Sequence, residues 1–258
     1  MGLWSIKHAV TVIPAFLIMP AVALILRRLL LHSTFEVRML PIKIISVLLI
    51  ALELGKQICS LIIGYNLYHL PLHFCSIFIY VLPFMAFYRG KRQGYIRSIA
   101  TSTMTVLFFG MLIMPAVIYS EVSIDAFFTN YLDFHTVLFH NLVIFALFIT
   151  LALNLHKPEG SFTELLCIAI FGLAFAAASA FAAHALNTNF SNFLGSTVPF
   201  INVALEFVSK KIGNVLTAVI YNVVLICLHA AVLVGASYVF IFAAKTFNKL
   251  NTVKKSWR

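Results

Sequence analysis

Charged side chains are scarce in this sequence. Lys, Arg, Asp and Glu make up 10% of its 258 residues, and only 8 residues are acidic, whereas about a quarter of the residues of a soluble protein are charged. Hydrophobic residues instead make up 62% of the chain, and its mean hydropathy is +1.02. This composition excludes an ordinary soluble domain and indicates a protein embedded in lipid.

Motifs for cofactors, metals and disulfides are missing as well. The four cysteines, Cys59, Cys75, Cys167 and Cys227, all fall within apolar segments, and none forms a Cys-x-x-Cys or Cys/His pair with metal-ligand spacing. No glycine-rich phosphate loop is present. We therefore expect no disulfide framework, no metal and no cofactor. The net charge of +10 could suggest nucleic acid, but the basic residues are spread between apolar segments, so we expect no nucleic-acid partner.

Long apolar segments occupy most of the chain. A helix needs about 20 apolar residues to cross roughly 30 Å of hydrocarbon. Segments that meet or approach this length lie near residues 9–31, 41–64, 71–88, 96–119, 134–155, 162–185 and 215–245. The sequence therefore predicts an all-α polytopic bundle of seven transmembrane helices, forming one domain over residues 1–258. A short amphipathic helix near 199–210 is predicted to lie on the membrane surface.

Basic residues gather in every second gap between these segments. Of 18 Lys and Arg residues, 14 fall on one side of the predicted bundle. These 14 are Arg27, Arg28, Arg38, Lys43, Arg89, Lys91, Arg92, Arg97, Lys157, Lys245, Lys249, Lys254, Lys255 and Arg258. Because short loops rich in Lys and Arg stay in the cytoplasm, we predict a multi-pass protein of the cell membrane with its N-terminus outside and its C-terminus inside.

A polar stripe interrupts the second predicted span. Glu53, Lys56, Gln57 and Ser60 are spaced i, i+3, i+4 and i+7, which places them on one helix face. An ionisable group inside a membrane costs at least about 2.5–3.5 kcal/mol on insertion scales, so such groups normally face the bundle interior. The spacing predicts a Glu53–Lys56 pair. A structural role in helix packing and a catalytic role both fit it.

Spans three and five supply candidate catalytic groups. Pro71, as a first helical residue, would place His73 in the first turn and Cys75 in the second, where a thiol is a candidate nucleophile. A buried cysteine is also commonly a packing residue. His135 and His140 lie about 140° apart around a helix, so we expect only one to face the interior. His140, the deeper one, is the candidate general base and His135 is expected at the interface. A packing role for His140 is the alternative.

Other polar residues fall at the same predicted outer end. Asn187 and Asn189 follow span six, and Asn222 lies in the outer half of span seven. We therefore expect a polar pocket in the half of the bundle that faces the outer leaflet. In the inner half, a stripe in span four is predicted to form interhelical hydrogen bonds. It consists of Ser98, Thr101, Ser102 and Thr105.

The segment Leu70-Pro71-Leu72-His73-Phe74-Cys75-Ser76, with Glu53 before it and His140 and the Asn187–Phe190 loop after it, resembles the YwaF-like family of bacterial integral membrane proteins. That family is similar to an animal transmembrane acyltransferase that acts on ether phospholipids. The resemblance covers about residues 45–250. It implies cysteine-dependent acyl transfer between phospholipids and lysophospholipids, with Cys75 as nucleophile and His140 as base.

In the expected reaction, Cys75 attacks a fatty-acyl ester in the outer leaflet, and the resulting acyl-cysteine passes its chain to a lysophospholipid. The residues expected to bind substrate are His73, Glu53, Lys56, Gln57, His135, Asn187, Asn189 and Asn222. Two alternatives stay open. The same residues could hydrolyse lipid esters, or the bundle could be a non-enzymatic lipid-binding or transport protein.

Overall fold

The computed structural model describes residues 4–196 and 199–256, and that part of the chain is helical without a strand. Its α-helices are α1 (Ile6–Leu30), α2 (Phe35–Ile63), α3 (Phe78–Phe87), α4 (Gln93–Ile113), α5 (Pro115–Ile118), α6 (Glu121–Asp125), α7 (Tyr131–Ala152), α8 (Phe162–Ala185), α9 (Pro199–Ile212) and α10 (Asn214–Ser256). Short 3₁₀ turns occupy Leu67–His69, Phe74–Ile77 and Phe190–Asn192. The predicted all-α class is confirmed.

Five of the described helices are long and apolar enough to cross a membrane: α1, α4, α7, α8 and the Asn214–Phe247 part of α10. The other two predicted spans differ from these. Helix α2 has 29 residues but carries several charged side chains, and the continuous helical segment Phe74–Phe87 is short. At 1.5 Å per residue, that segment is only about 21 Å long. Membrane character is thus supported, and seven complete crossings remain a prediction.

Helix boundaries follow the apolar pattern closely. Each predicted span overlaps a helix, and α8 has the predicted limits 162–185. Span four was expected to continue to residue 119, but α4 ends at Ile113, and Pro115 begins the separate helix α5. Proline cannot donate the backbone hydrogen bond that a continuous helix would require there. The predicted surface helix corresponds to α9.

The third span begins later than predicted, and the proposed helix start at Pro71 is wrong. Residues 70–73 form turns and bends, and His73 has an extended backbone with φ −76° and ψ 153°. The Leu72 carbonyl accepts a hydrogen bond from Ser179 Oγ at 2.9 Å, and the Phe74 N–H donates to Ser191 Oγ at 3.0 Å. These tertiary bonds use backbone groups that a regular helix would pair internally.

The basic residues of alternate gaps meet at one end of the bundle. The Arg38 guanidinium donates to the Leu153 carbonyl at 2.8 Å, and Arg27 donates to the Ala152 carbonyl. Arg89 pairs with Glu36 through Nε at 2.9 Å. We call this the basic end, and the assignment of the cytoplasm to it remains a prediction. Of the basic tail, Arg258 lies outside the described residues, as do the side chains of Lys249, Lys254 and Lys255.

A glycine on α8 allows close contact with α10, and the hydroxyl groups of α4 bond within their own helix. Helices α8 and α10 approach closely at Gly172, where an added Cβ would lie 3.0 Å from Ala230 Cα. In α4, the hydroxyls of Thr101, Ser102 and Thr105 donate to carbonyls four residues earlier in the same helix, at 2.9, 2.8 and 2.7 Å. The prediction of interhelical hydrogen bonds is therefore wrong for these three, because their own helix satisfies them.

Candidate functional site

A buried carboxylate on α2 organises the candidate site. Glu53 is 6% exposed, and its Oε1 lies 2.7 Å from both Lys56 Nζ and Gln57 Nε2. These contacts confirm the predicted pair within α2. Across the helix interface, His135 Nε2 of α7 lies 3.3 Å from Glu53 Oε2. We call Glu53, Lys56, Gln57 and His135 the Glu53 cluster.

Hydrogen-bonding capacity is left over inside this cluster. The approach of His135 to Glu53 is close enough for an ion pair but lacks hydrogen-bond geometry. Within the described part of the chain, Glu53 Oε2 and both ring nitrogens of His135 are buried without a hydrogen-bond partner. The remaining contact of Glu53 Oε2 is the 3.3 Å approach of His135 Nε2, whereas His135 Nδ1 stays without a partner, which is unusual for a buried polar atom.

The segment that follows α2 folds back onto the cluster. Gln57 donates to the His69 carbonyl at 2.8 Å and accepts from the Tyr65 hydroxyl at 2.7 Å. Ser60 Oγ lies 2.6 Å from His69 Nδ1. His69 and Tyr65 were not predicted as site residues. They lie in the short gap between two spans, and no periodicity in the sequence connects them to Gln57.

Cys75 lies in the 3₁₀ turn Phe74–Ile77 and is a free thiol. Its thiol interacts electrostatically with Lys56 and Glu53, and among the described residues no hydrogen bond or ion pair joins it to the Glu53 cluster. His73 has different surroundings. Its Nε2 donates to the Tyr68 carbonyl at 3.1 Å, and its ring contacts those of Tyr68 and Phe190 at centroid distances of 4.2 and 5.3 Å.

The two histidines of α7 are both buried. His140 is 5% exposed and His135 is 6% exposed, so the expectation that only one of them would face the interior is wrong. The physical reason is that α7 packs against α1, α2 and α4 together, which covers more than one face of the helix. Residues about 140° apart can therefore both lie in the interior.

The hydrogen bond of His140 fixes which ring nitrogen can accept a proton. His140 Nδ1 lies 2.6 Å from the Thr136 carbonyl. A carbonyl only accepts, so Nδ1 carries the hydrogen and Nε2 is the proton-accepting nitrogen of the neutral ring. Among the described residues no hydrogen bond joins Cys75 to His140. What the two groups share is an electrostatic interaction with Lys56.

The three predicted asparagines lie away from the Glu53 cluster. Asn187 is exposed just after α8 and has a φ of 48°. Asn189 closes its loop, donating to the Gly195 carbonyl at 2.9 Å. Asn222 Nδ2 lies 2.9 Å from His184 Nε2. The structure thus places these side chains with α8, α10 and the loop between them, and a role in binding substrate remains a prediction.

An apolar cavity of about 300 Å³ adjoins the segment that carries Cys75. Its lining includes Phe74, Ser191, Asn192, Leu225, Leu228 and His229. Ser191 and Asn192 have positive φ values of 49° and 68°. Non-glycine residues seldom adopt this conformation, and where they do the surrounding structure must hold them in place. The Ser191 hydroxyl anchors the loop by its hydrogen bond to the Phe74 N–H.

Comparison with protein families gives a match to the TMEM164 family over residues 3–241, nearly the whole chain. The chain belongs to the TMEM164 family. Membership supports a multi-pass membrane protein, but it does not extend to the YwaF-like bacterial family that the Cys75 segment resembles. No curated protein and no solved structure matches the chain. In the described part of this TMEM164 family member, no three His, Cys, Asp or Glu side chains are grouped as a metal ion would require.

Proposed function

We propose that this TMEM164 family member is a membrane lipid acyltransferase. It moves a fatty-acyl chain from a phospholipid to a lysophospholipid through an acyl-cysteine on Cys75. The observation that carries the proposal is the position of Lys56. Its ammonium is buried against Glu53 and interacts electrostatically with both Cys75 and His140. Acyl transfer through a thioester needs a thiol and a base to take its proton, and a cationic donor can stabilise the charge that develops.

The first half-reaction forms the thioester. The thiol proton passes to His140 Nε2, and because no hydrogen bond joins the two groups, an oxygen of the substrate carries it. The sulfur bonds to the ester carbonyl carbon, the carbon–oxygen bond to the donor glycerol breaks, and His140 returns the proton to the leaving lysophospholipid. In this mechanism Lys56 stabilises the negative charge that develops on sulfur and on the carbonyl oxygen.

The second half-reaction reverses these steps with a new alcohol. The hydroxyl of the acceptor lysophospholipid gives its proton to His140 and attacks the thioester, so that the new ester forms and the Cys75 thiol is restored. In this mechanism His135 Nδ1, which has no hydrogen-bond partner in the described part of the chain, binds a polar group of the acceptor head group. The apolar cavity beside Phe74 suits the acyl chain. With the basic end assigned to the cytoplasm, the site faces the outer leaflet of the cell membrane.

Burial of the site favours transfer over hydrolysis, because the two reactions differ only in whether water or a lysophospholipid attacks the thioester. Hydrolysis is therefore the competing function, and the products separate the two. The purified protein in proteoliposomes would receive phosphatidylcholine with a deuterated acyl chain and an ether-linked lysophospholipid with an ethanolamine head group.

We expect the label to appear in a new phosphatidylethanolamine species, in an amount equal to the lysophosphatidylcholine released, as measured by mass spectrometry. Label recovered only as free fatty acid would identify a hydrolase instead. Label that stays in phosphatidylcholine throughout would contradict both enzymatic functions and would favour a lipid-binding or transport protein.

A further inference from the structure

A second cavity opens at the basic end of the bundle, where α2, α4 and α8 begin and α7 ends. Its volume is about 490 Å³, and its lining includes Arg38, Lys91, Arg97, His156, Lys157 and Glu164. The arginines are partly buried, and Lys91 and Lys157 are exposed at the rim. The proposed acyl transfer uses none of these residues.

The two arginines of this cavity have donors without partners. Within the described part of the chain, Arg97 Nε, Arg97 Nη2 and Arg38 Nε are buried and lack a hydrogen-bond partner. Leaving a charged donor buried and unpaired costs more than leaving a neutral one. The positive-inside rule explains why arginines occur at this end, but it does not explain why their donors are buried and unpaired.

The directions of both guanidinium groups are fixed. The Phe35 ring packs against both, with its centroid 4.4 Å from Arg97 Cζ and 5.6 Å from Arg38 Cζ. Arg38 also donates through Nη1 to the Leu153 carbonyl at 2.8 Å. Stacking on an aromatic ring holds a guanidinium in place without using its N–H groups. The unpaired donors are therefore preorganised.

The nearby carboxylates do not neutralise these arginines. Glu164 Oε2 accepts from the backbone N–H groups of Glu159 and Gly160 at 3.0 and 2.8 Å, and Oε1 accepts from the Ser98 hydroxyl. Glu36 pairs with Arg89 at 2.9 Å and with Lys43 at 2.8 Å. None of these acids pairs directly with Arg38 or Arg97. The lining holds four basic side chains, Arg38, Lys91, Arg97 and Lys157, against the two carboxylates of Glu159 and Glu164, so its net charge is positive.

We propose that this cavity binds a phosphate group, carried by a phospholipid head group or by a soluble phosphorylated molecule. A phosphate presents several oxygens to two guanidinium groups at once, and arginine is suited to this geometry. The rim lysines add charge that attracts the anion without fixing its orientation. The site is separate from Cys75, so its occupancy is independent of whether the protein transfers acyl chains.

Binding to the purified full-length protein in neutral detergent tests this site with two probes, inorganic phosphate and dioctanoyl phosphatidic acid, titrated at 0.15 M NaCl. Arg97→Gln is expected to weaken binding by about tenfold to a hundredfold, since a hydrogen bond to a charged group is lost. Arg97→Lys should show an intermediate loss of affinity, because lysine keeps the positive charge but lacks the paired N–H donors of a guanidinium group. The matched control is Arg28→Gln, which removes an exposed arginine at the same end and should change the affinity less than about twofold.

The two probes also distinguish the source of the phosphate. Binding of phosphatidic acid at concentrations where inorganic phosphate does not bind would support a lipid head group as the ligand, and similar affinity for both would support a soluble phosphorylated molecule. Either result supports the site if Arg97→Gln weakens it. The proposal is overturned if the wild-type protein binds neither probe, or if Arg97→Gln and Arg28→Gln bind both as tightly as the wild type.

Discussion

The Cys75→Ala variant is expected to lose acyl transfer by at least about a thousandfold, because removal of a covalent nucleophile leaves only binding and electrostatic stabilisation to accelerate the reaction. Cys75→Ser should be nearly as inactive, since a hydroxyl keeps its proton far more strongly than a thiol. The measurement is the initial rate of labelled phosphatidylethanolamine formation in proteoliposomes that contain equal amounts of folded protein.

Cys167→Ala is the matched control. Cys167 is also a partly buried free cysteine, but it lies on α8. Its replacement should leave the rate within about twofold of the wild-type rate, because it removes a thiol of the same kind from a helix that has no part in the proposed reaction. Gel filtration and thermal unfolding should show both variants folded. A folded Cys75→Ala protein with the transfer rate of the wild type would contradict the proposed mechanism.

The second large effect concerns stability. Glu53→Ala is expected to lower the free energy of unfolding by about 3–5 kcal/mol, because it leaves the Lys56 ammonium buried without its carboxylate. The side chains of Lys56 and Glu53 are only 13% and 8% exposed. The double variant Glu53→Ala/Lys56→Met should recover more than half of the loss, since the unpaired charge is then absent. Denaturant unfolding in detergent measures the free energy of unfolding of the single and the double variant.

An exposed ion pair provides the control for this comparison. Glu206 and Lys210 lie one turn apart on α9 with side chains 67% and 69% exposed. Glu206→Ala should change the free energy of unfolding by less than about 1 kcal/mol, because water solvates the remaining charge. Equal effects of Glu53→Ala and Glu206→Ala would show that the buried pair contributes no more than a surface pair.

The long helices could be predicted from the sequence because hydrocarbon leaves the backbone few choices. Where no water is available to bond N–H and C=O groups, an apolar run must satisfy them within its own helix. The limits of α8 follow from this constraint. The Glu53–Lys56 pair was predictable for a similar reason, since residues three apart in a helix are neighbours on its surface.

The surroundings of Cys75 could not be predicted in the same way. Residues 70–73 are held out of a helix by Ser179 and Ser191, which are bonded to residues 107 and 117 positions away in the chain. The burial of His135 likewise depends on which helices pack around α7. Contacts between distant segments leave no periodic signal in a single sequence, so local rules favoured a helix beginning at Pro71.

The basic end shows a different limit. The alternation of Lys and Arg correctly indicated that Arg38, Arg97 and Lys157 share one end of the bundle, and their contacts confirm it. Charge counting treats every arginine alike. Only the three-dimensional arrangement shows that Arg38 and Arg97 stack on Phe35 with unpaired donors, whereas Arg89 is paired with Glu36.

The central claim is a covalent acyl group on the Cys75 sulfur, and the mass of the protein measures it most directly. Wild-type protein would be incubated with phosphatidylcholine in the absence of a lysophospholipid, quenched in acid and analysed intact and as peptides. We predict the mass of one acyl chain on the Cys75 peptide, removed by hydroxylamine or by added lysophospholipid and absent from Cys75→Ala. Formation of the acylated ether phospholipid after acceptor is added, while Cys75 remains unmodified in every sample, would contradict the claim.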